Sequence, residues 1–108
     1  MTIDERIANM VPEIRELYLT IRSLILAQAG IPLIEKLWSN LPTFTDGEHF
    51  IRVIPFKDHL NIEAKAIQNY SDELKDFKMT PKGMLRIGIK QRIPEEILIR
   101  IIIETFSS

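Results

Sequence analysis

Apolar side chains recur at three- and four-residue steps through the opening of the chain, at Ile7, Met10, Val11, Ile14, Leu17, Tyr18, Ile21, Leu24 and Ile25. That period places them on one stripe of a helix. Thr2-Ile3-Asp4-Glu5 has the form of a capping box, in which the Thr2 hydroxyl and the Glu5 carboxylate satisfy two orphan N–H groups at a helix start. Pro12 falls inside the stripe, where a residue without an N–H suits a first turn but not a helix interior. It is predicted to divide a short first helix from a longer second one. Gly30 then ends the second helix as a C-terminal cap, and Pro32 prevents continuation.

Beyond Leu33 the period shortens toward two, and Phe, Val, Ile and Trp become denser, as they do in strands. Three strands are predicted, over 33–38, 48–56 and 59–63. Lys57-Asp58 makes the last two a hairpin, while Pro42 and Pro55 belong at edges, strand ends or bulges. Helical spacing returns at Ile67, Tyr70, Leu74 and Phe77, and Ser71 followed by Asp72 and Glu73 reads as the N-cap of a short helix. Thr80-Pro81-Lys82-Gly83 is turn chemistry, after which Leu85, Ile87 and Ile89 alternate as a strand. Pro94-Glu95-Glu96 opens a final helix with so few polar positions that burial on several sides is expected. The succession predicts an α+β fold, an antiparallel sheet with helices packed on one face, as one domain over 1–108.

At 108 residues the chain is large enough to bury roughly two-thirds of its unfolded surface without staples. The absence of cysteine excludes a disulfide framework, a zinc knuckle, an iron–sulfur cluster and a thiolate nucleophile. With 14 basic and 15 acidic residues spread along the chain, composition suggests no nucleic-acid footprint and no anionic-membrane footprint. The acidic start lacks the pattern of a secretory leader and no apolar run reaches a bilayer-spanning length, so a cytoplasmic protein without membrane association is expected.

The polar residues offer several candidate chemistries. His59, Asn61 and Glu63 alternate on one strand, opposite Leu60 and Ile62, either as two metal ligands and a neighbour or as an ordinary solvent-facing row. Lys57, Asp58 and His59 at one turn and Lys82-Gly83 at another set cations beside backbone N–H groups that could hold a small anion; turn chemistry alone also explains them. Asp4, Glu5, Glu13 and Glu16 sit in early helical turns, where the macrodipole favours them; gathered on one surface they would suit a hard cation. Trp38 is expected in the core, with the rim of a pocket as the alternative. Only His49 and His59 could serve as neutral-pH bases, no hydroxyl has a partner base at a recognisable spacing, and no glycine-rich phosphate loop occurs. No catalytic residue is assigned.

Taken together, Ile31-Pro32-Leu33, Pro42-Thr43-Phe44, Phe56-Lys57-Asp58-His59-Leu60, Thr80-Pro81-Lys82-Gly83-Met84 and Ile93-Pro94-Glu95-Glu96-Ile97 follow in an order that resembles the YdhG-like family of small bacterial domains. The resemblance covers nearly the whole chain and implies a frataxin-like sheet with helices on one face. For function it implies an intracellular iron chaperone that holds iron weakly on the carboxylates Asp4, Glu5, Glu13 and Glu16, with no tightly bound cofactor, and passes it to an iron-receiving protein. The alternative is a module without catalysis, either binding a small molecule or anion through Lys57, His59, Lys82 and Trp38, or docking another protein through the apolar final helix. Nothing in the pattern fixes an oligomeric state.

Overall fold

The computed structural model describes residues 1–107. Helix α1 (Ile3–Ala8) begins at the capping box: Glu5 N–H donates to Thr2 Oγ1 at 3.2 Å and Thr2 N–H donates to Glu5 Oε1 at 3.0 Å. Helix α2 (Pro12–Gln28) carries Pro12 in its first turn, and Gly30 follows its C-cap Ala29 with φ +76°, a backbone angle that favours glycine. Six strands follow, β1 (Ile34–Trp38), β2 (Leu41–Thr45), β3 (Phe50–Pro55), β4 (His59–Ala64), β5 (Lys78–Met79) and β6 (Leu85–Gly88). They form one antiparallel sheet in the order β1-β2-β3-β4-β6-β5. A 3-10 helix (Lys65–Tyr70) leaves β4, and α3 (Glu95–Ser107) completes the fold.

The α+β architecture is as expected, and the departures from expectation are local. Periodicity alone does not show strand β2, although the Pro42-Thr43-Phe44 segment of the family resemblance falls in it, because Pro42 and a polar-looking Thr43-Phe44-Thr45 hide its alternation. Pro42 precedes Thr43, where β2 first meets β3, so its missing N–H falls at a strand end. The β1–β2 turn was also illegible. Ser39 (φ +52°) and Asn40 (φ +64°) both adopt positive φ, the backbone of a two-residue hairpin usually signalled by Asn-Gly. Residues 71–77 form successive turns rather than a helix restarting at Ser71, since Ser71 lies at the C-terminal end of the 3-10 helix and its acidic followers cap nothing. α3 anchors both the 3-10 helix and the turns after it: Asn69 and Tyr70 donate to Glu104 at 2.7 and 2.6 Å, and Arg100 pairs with Glu73 at 2.7 Å. The two-residue strand β5 carries no periodic signal at all.

One face of the sheet supplies Ile51, Val53, Leu60, Ile62, Leu85 and Ile87 to the core, where they meet Ile14, Tyr18, Ile21 and Ile25 of α2 and Leu98, Ile101 and Ile102 of α3. Each such apolar side chain contributes roughly 1.5–3 kcal/mol by leaving water. Burial of α3 is confined to Leu98, Ile101, Ile102, Thr105 and Phe106, while Ile103 is 44% exposed, so the helix is one-sided rather than enclosed. Trp38 departs most from expectation: it is 53% exposed on the sheet face away from the helices. The Lys36 ammonium is 5.5 Å from the Trp38 ring centroid and the Arg52 guanidinium 5.6 Å. Among the described residues no helix is long and apolar enough to cross a membrane.

Candidate functional site

Four segments converge at the end of the sheet where β3 begins and β4 ends. They are the β2–β3 turn with Glu48 and His49, the β4–3-10 junction with Glu63, Lys65 and Gln68, the Lys82-Gly83 turn, and Thr105 of α3. Between them lies a cleft of about 540 Å³. That volume falls within the usual range for small-ligand sites.

Each wall has a local cause. In the β2–β3 turn, Asp46 Oδ1 accepts the N–H groups of Glu48 (2.8 Å) and His49 (2.6 Å), and Oδ2 lies 3.2 Å from His49 Nδ1. Those backbone donors, His49 foremost, draw the Asp46 carboxyl down to about 2. Thr45 Oγ1 donates to His49 O at 2.7 Å and accepts from Gly47 N–H at 2.9 Å, and Gly47 takes φ +98°. The turn therefore presents the His49 imidazole with one nitrogen already facing a carboxylate and the other free to meet a ligand. The Lys82-Gly83 turn is closed by Gly83 N–H to Thr80 O at 2.9 Å and Met84 N–H to Thr80 Oγ1 at 3.0 Å, with Gly83 at φ +85°.

Charge within the cleft is unequally committed. Glu63 accepts from Arg52 Nη1 at 2.8 Å, so its charge is largely answered. Lys65 and Lys82 have no ion-pair partner among the described residues. Thr105 is 2% exposed, yet its Oγ1 finds no hydrogen-bond partner among the described residues. A buried hydroxyl without a partner costs about 1–3 kcal/mol, and such groups in native folds call for an explanation. The set offers two ammonium groups, an imidazole, an amide and a hydroxyl, with Glu48 as a carboxylate that also lacks an ion-pair partner among the described residues; the two lysines outnumber it, and the balance suits an anionic group.

The structure separates the expected ligand residues. Lys82 is on the cleft, whereas Lys57 and His59 lie at the opposite end of β4 and Trp38 is on the edge strand β1, three strands from β4. Lys57 lines a shallower depression of about 320 Å³ with Arg6, Val11 and Phe56. His59 is occupied locally, stacked on Phe56 at 4.5 Å with Nδ1 2.7 Å from Asp58 Oδ1, a bond that holds the Asp58 carboxyl below its usual range. His59, Asn61 and Glu63 do share a face, with Leu60 and Ile62 buried on the other, but His59 and Glu63 are engaged with different partners. Asp4, Glu5, Glu13 and Glu16 are exposed on α1 and α2, and the Glu5 carboxylate is committed to the Thr2 N–H, which lowers its pKa. Among the described residues no three His, Asp or Glu side chains gather where a metal ion could be held.

His49 stands out in the sequence only as a possible neutral-pH base, and Lys65, Gln68 and Thr105 are not singled out at all. Thr105 had a readable signal, being the one hydroxyl residue on the buried stripe Leu98, Ile101, Ile102, Thr105 and Phe106. The others come together only through the sheet. In comparisons with known proteins, no family model, no curated protein and no solved structure matches this chain.

Proposed function

We propose that this chain is a non-catalytic cytoplasmic binding module whose end cleft holds a small ligand by an anionic group. The observation that carries the reading is Thr105: a buried hydroxyl with no partner among the described residues, on the wall of a cleft where Lys65 and Lys82 also pair with none of them. A ligand oxygen accepting from Thr105 while its carboxylate or phosphate faces Lys65 and Lys82 would answer all three groups at once.

The test is a thermal-unfolding screen of the whole chain against inorganic phosphate, acetate, succinate and glutamate. A ligand that binds the folded state alone adds about 2.7 kcal/mol of stability at a hundredfold excess over Kd, and so raises the unfolding temperature with concentration. Thr105→Val and the double change Lys65→Ala, Lys82→Ala should each abolish that rise. If no anion stabilises the protein, or if both variants keep the rise, the reading is wrong. The iron-carrier role implied by the YdhG-like resemblance has its own arm, an anaerobic calorimetric titration with ferrous iron. Saturable heat lost on converting Asp4, Glu5, Glu13 and Glu16 to their amides would favour that role over the anion cleft.

A further inference from the structure

The sheet face turned away from the helices is unlike the rest of the molecule. Register and alternation put Lys36, Arg52, Lys78 and Arg86 on this face with Glu63 as the one carboxylate among them. The acidic residues lie elsewhere, largely on the helices and turns, so a chain of net charge −1 is divided into a cationic face and an acidic back. Lys78 stands directly opposite Arg86 across the β5–β6 pair, an arrangement that costs stability unless an anion lies between the two.

The same face bears aromatic surface. Trp38 is 53% exposed, and the Arg52 guanidinium, 5.6 Å from its ring centroid, also lies 4.7 Å from that of Phe50. Arg52 Nε and, one row along, Asn61 Oδ1 are buried there without hydrogen-bond partners among the described residues. Six strands at ~4.8 Å spacing give a platform about 24 Å across, enough for a few nucleotides.

We infer that this face binds single-stranded nucleic acid, with a base stacked on Trp38 and phosphates running over Lys36, Arg86 and Lys78. Aromatic platforms edged by cations are sequence-tolerant binders, because every base offers a π-face and every nucleotide a phosphate. The even balance of charge along the sequence concealed this, since only the sheet sorts the signs onto separate faces. The inference is independent of the end cleft, sharing with it only the rim residues Phe50 and Glu63.

The test uses the whole chain and labelled oligo(dT) and oligo(rU) of about twelve nucleotides in fluorescence anisotropy, with the emission of Trp38, the single tryptophan, as a second readout. Saturable binding that quenches Trp38 is expected, with log K falling against log salt at a slope of about −2 for three phosphate contacts. Trp38→Ala should weaken binding at least fivefold at unchanged slope, Trp38→Phe should retain most of it, and Lys78→Ala or Arg86→Ala should each flatten the slope by about 0.7. The two oligomers distinguish DNA from RNA as the source of the strand. No binding at about 50 mM salt, equal binding of a duplex, or binding indifferent to Trp38→Ala would overturn the inference. So would a concentration-dependent dimer in sedimentation that Trp38→Ala dissociates, because a second copy would then be the occupant.

Discussion

Tyr18 looks like one more apolar residue of the helical stripe, and its ring is fully buried, but its hydroxyl donates to Glu35 Oε2 at 2.8 Å. Burial, then this bond, pushes the phenol far above its usual range. Arg22 Nε donates to the other oxygen of Glu35 at 2.7 Å, so one β1 carboxylate fastens two turns of α2 to the sheet. Tyr18→Phe should therefore cost about 1–2 kcal/mol in urea unfolding while leaving the fold intact. Thr105→Val should do the reverse, raising the unfolding temperature by a few degrees as an unpaired hydroxyl leaves the interior. That gain with loss of ligand binding is the signature of a residue kept for function. Asp46 sets an acid limit. Its carboxyl is lowered in the folded state, so its contribution is present above the unfolded value near 3.9 and is lost as pH falls toward about 2. Asp58 and Glu5 are lowered too and act in the same direction. Asp46→Asn, which keeps an acceptor for the backbone N–H groups, should shed less stability than wild type between pH 4 and pH 2 in acid titrations followed by circular dichroism.

Among the elements, those with a local cause were legible and those with a distant one were not. The capping box, Pro12 and Gly30 defined α1 and α2 because caps and breakers act within a turn of themselves. The β3–β4 hairpin and β6 followed from alternation against a buried face. Strand β2 depends on neighbours on both sides, with Thr43 matched to Lys36 and to Arg52, and no short window contains that information. The Ser39-Asn40 turn exacts a local cost, since a serine at positive φ is disfavoured by about 1–2 kcal/mol before compensation. Ser39→Gly should recover roughly half to one kcal/mol in chemical denaturation, the remainder being offset by the freer unfolded chain. A loss of stability there would mean that the Ser39 side chain makes a contribution which the backbone geometry does not reveal.

Across the whole molecule, the sheet is what turns a sequence of evenly mixed charge into distinct surfaces. Its inner face and three helices form one core, its outer face gathers cations and aromatics, and its end brings turns from distant parts of the chain around Thr105. The candidate site was therefore less readable than the fold. Lys82 is recognisable from its turn, but His49, Lys65 and Thr105 are separated by 16 to 56 positions and meet only when β3, β4 and α3 are in place. Lys57, His59 and Trp38 had equally suggestive local patterns, and the same strands carry them away from Lys82. The most direct test is amide NMR shift mapping of the whole chain with whichever small anion stabilises it most. The binding-module reading expects saturable shifts gathered at Glu48 to Phe50, Glu63 to Gln68, Lys82-Gly83 and Thr105. Shifts confined to the acidic surface of α1 and α2, or scattered without saturation, would contradict it.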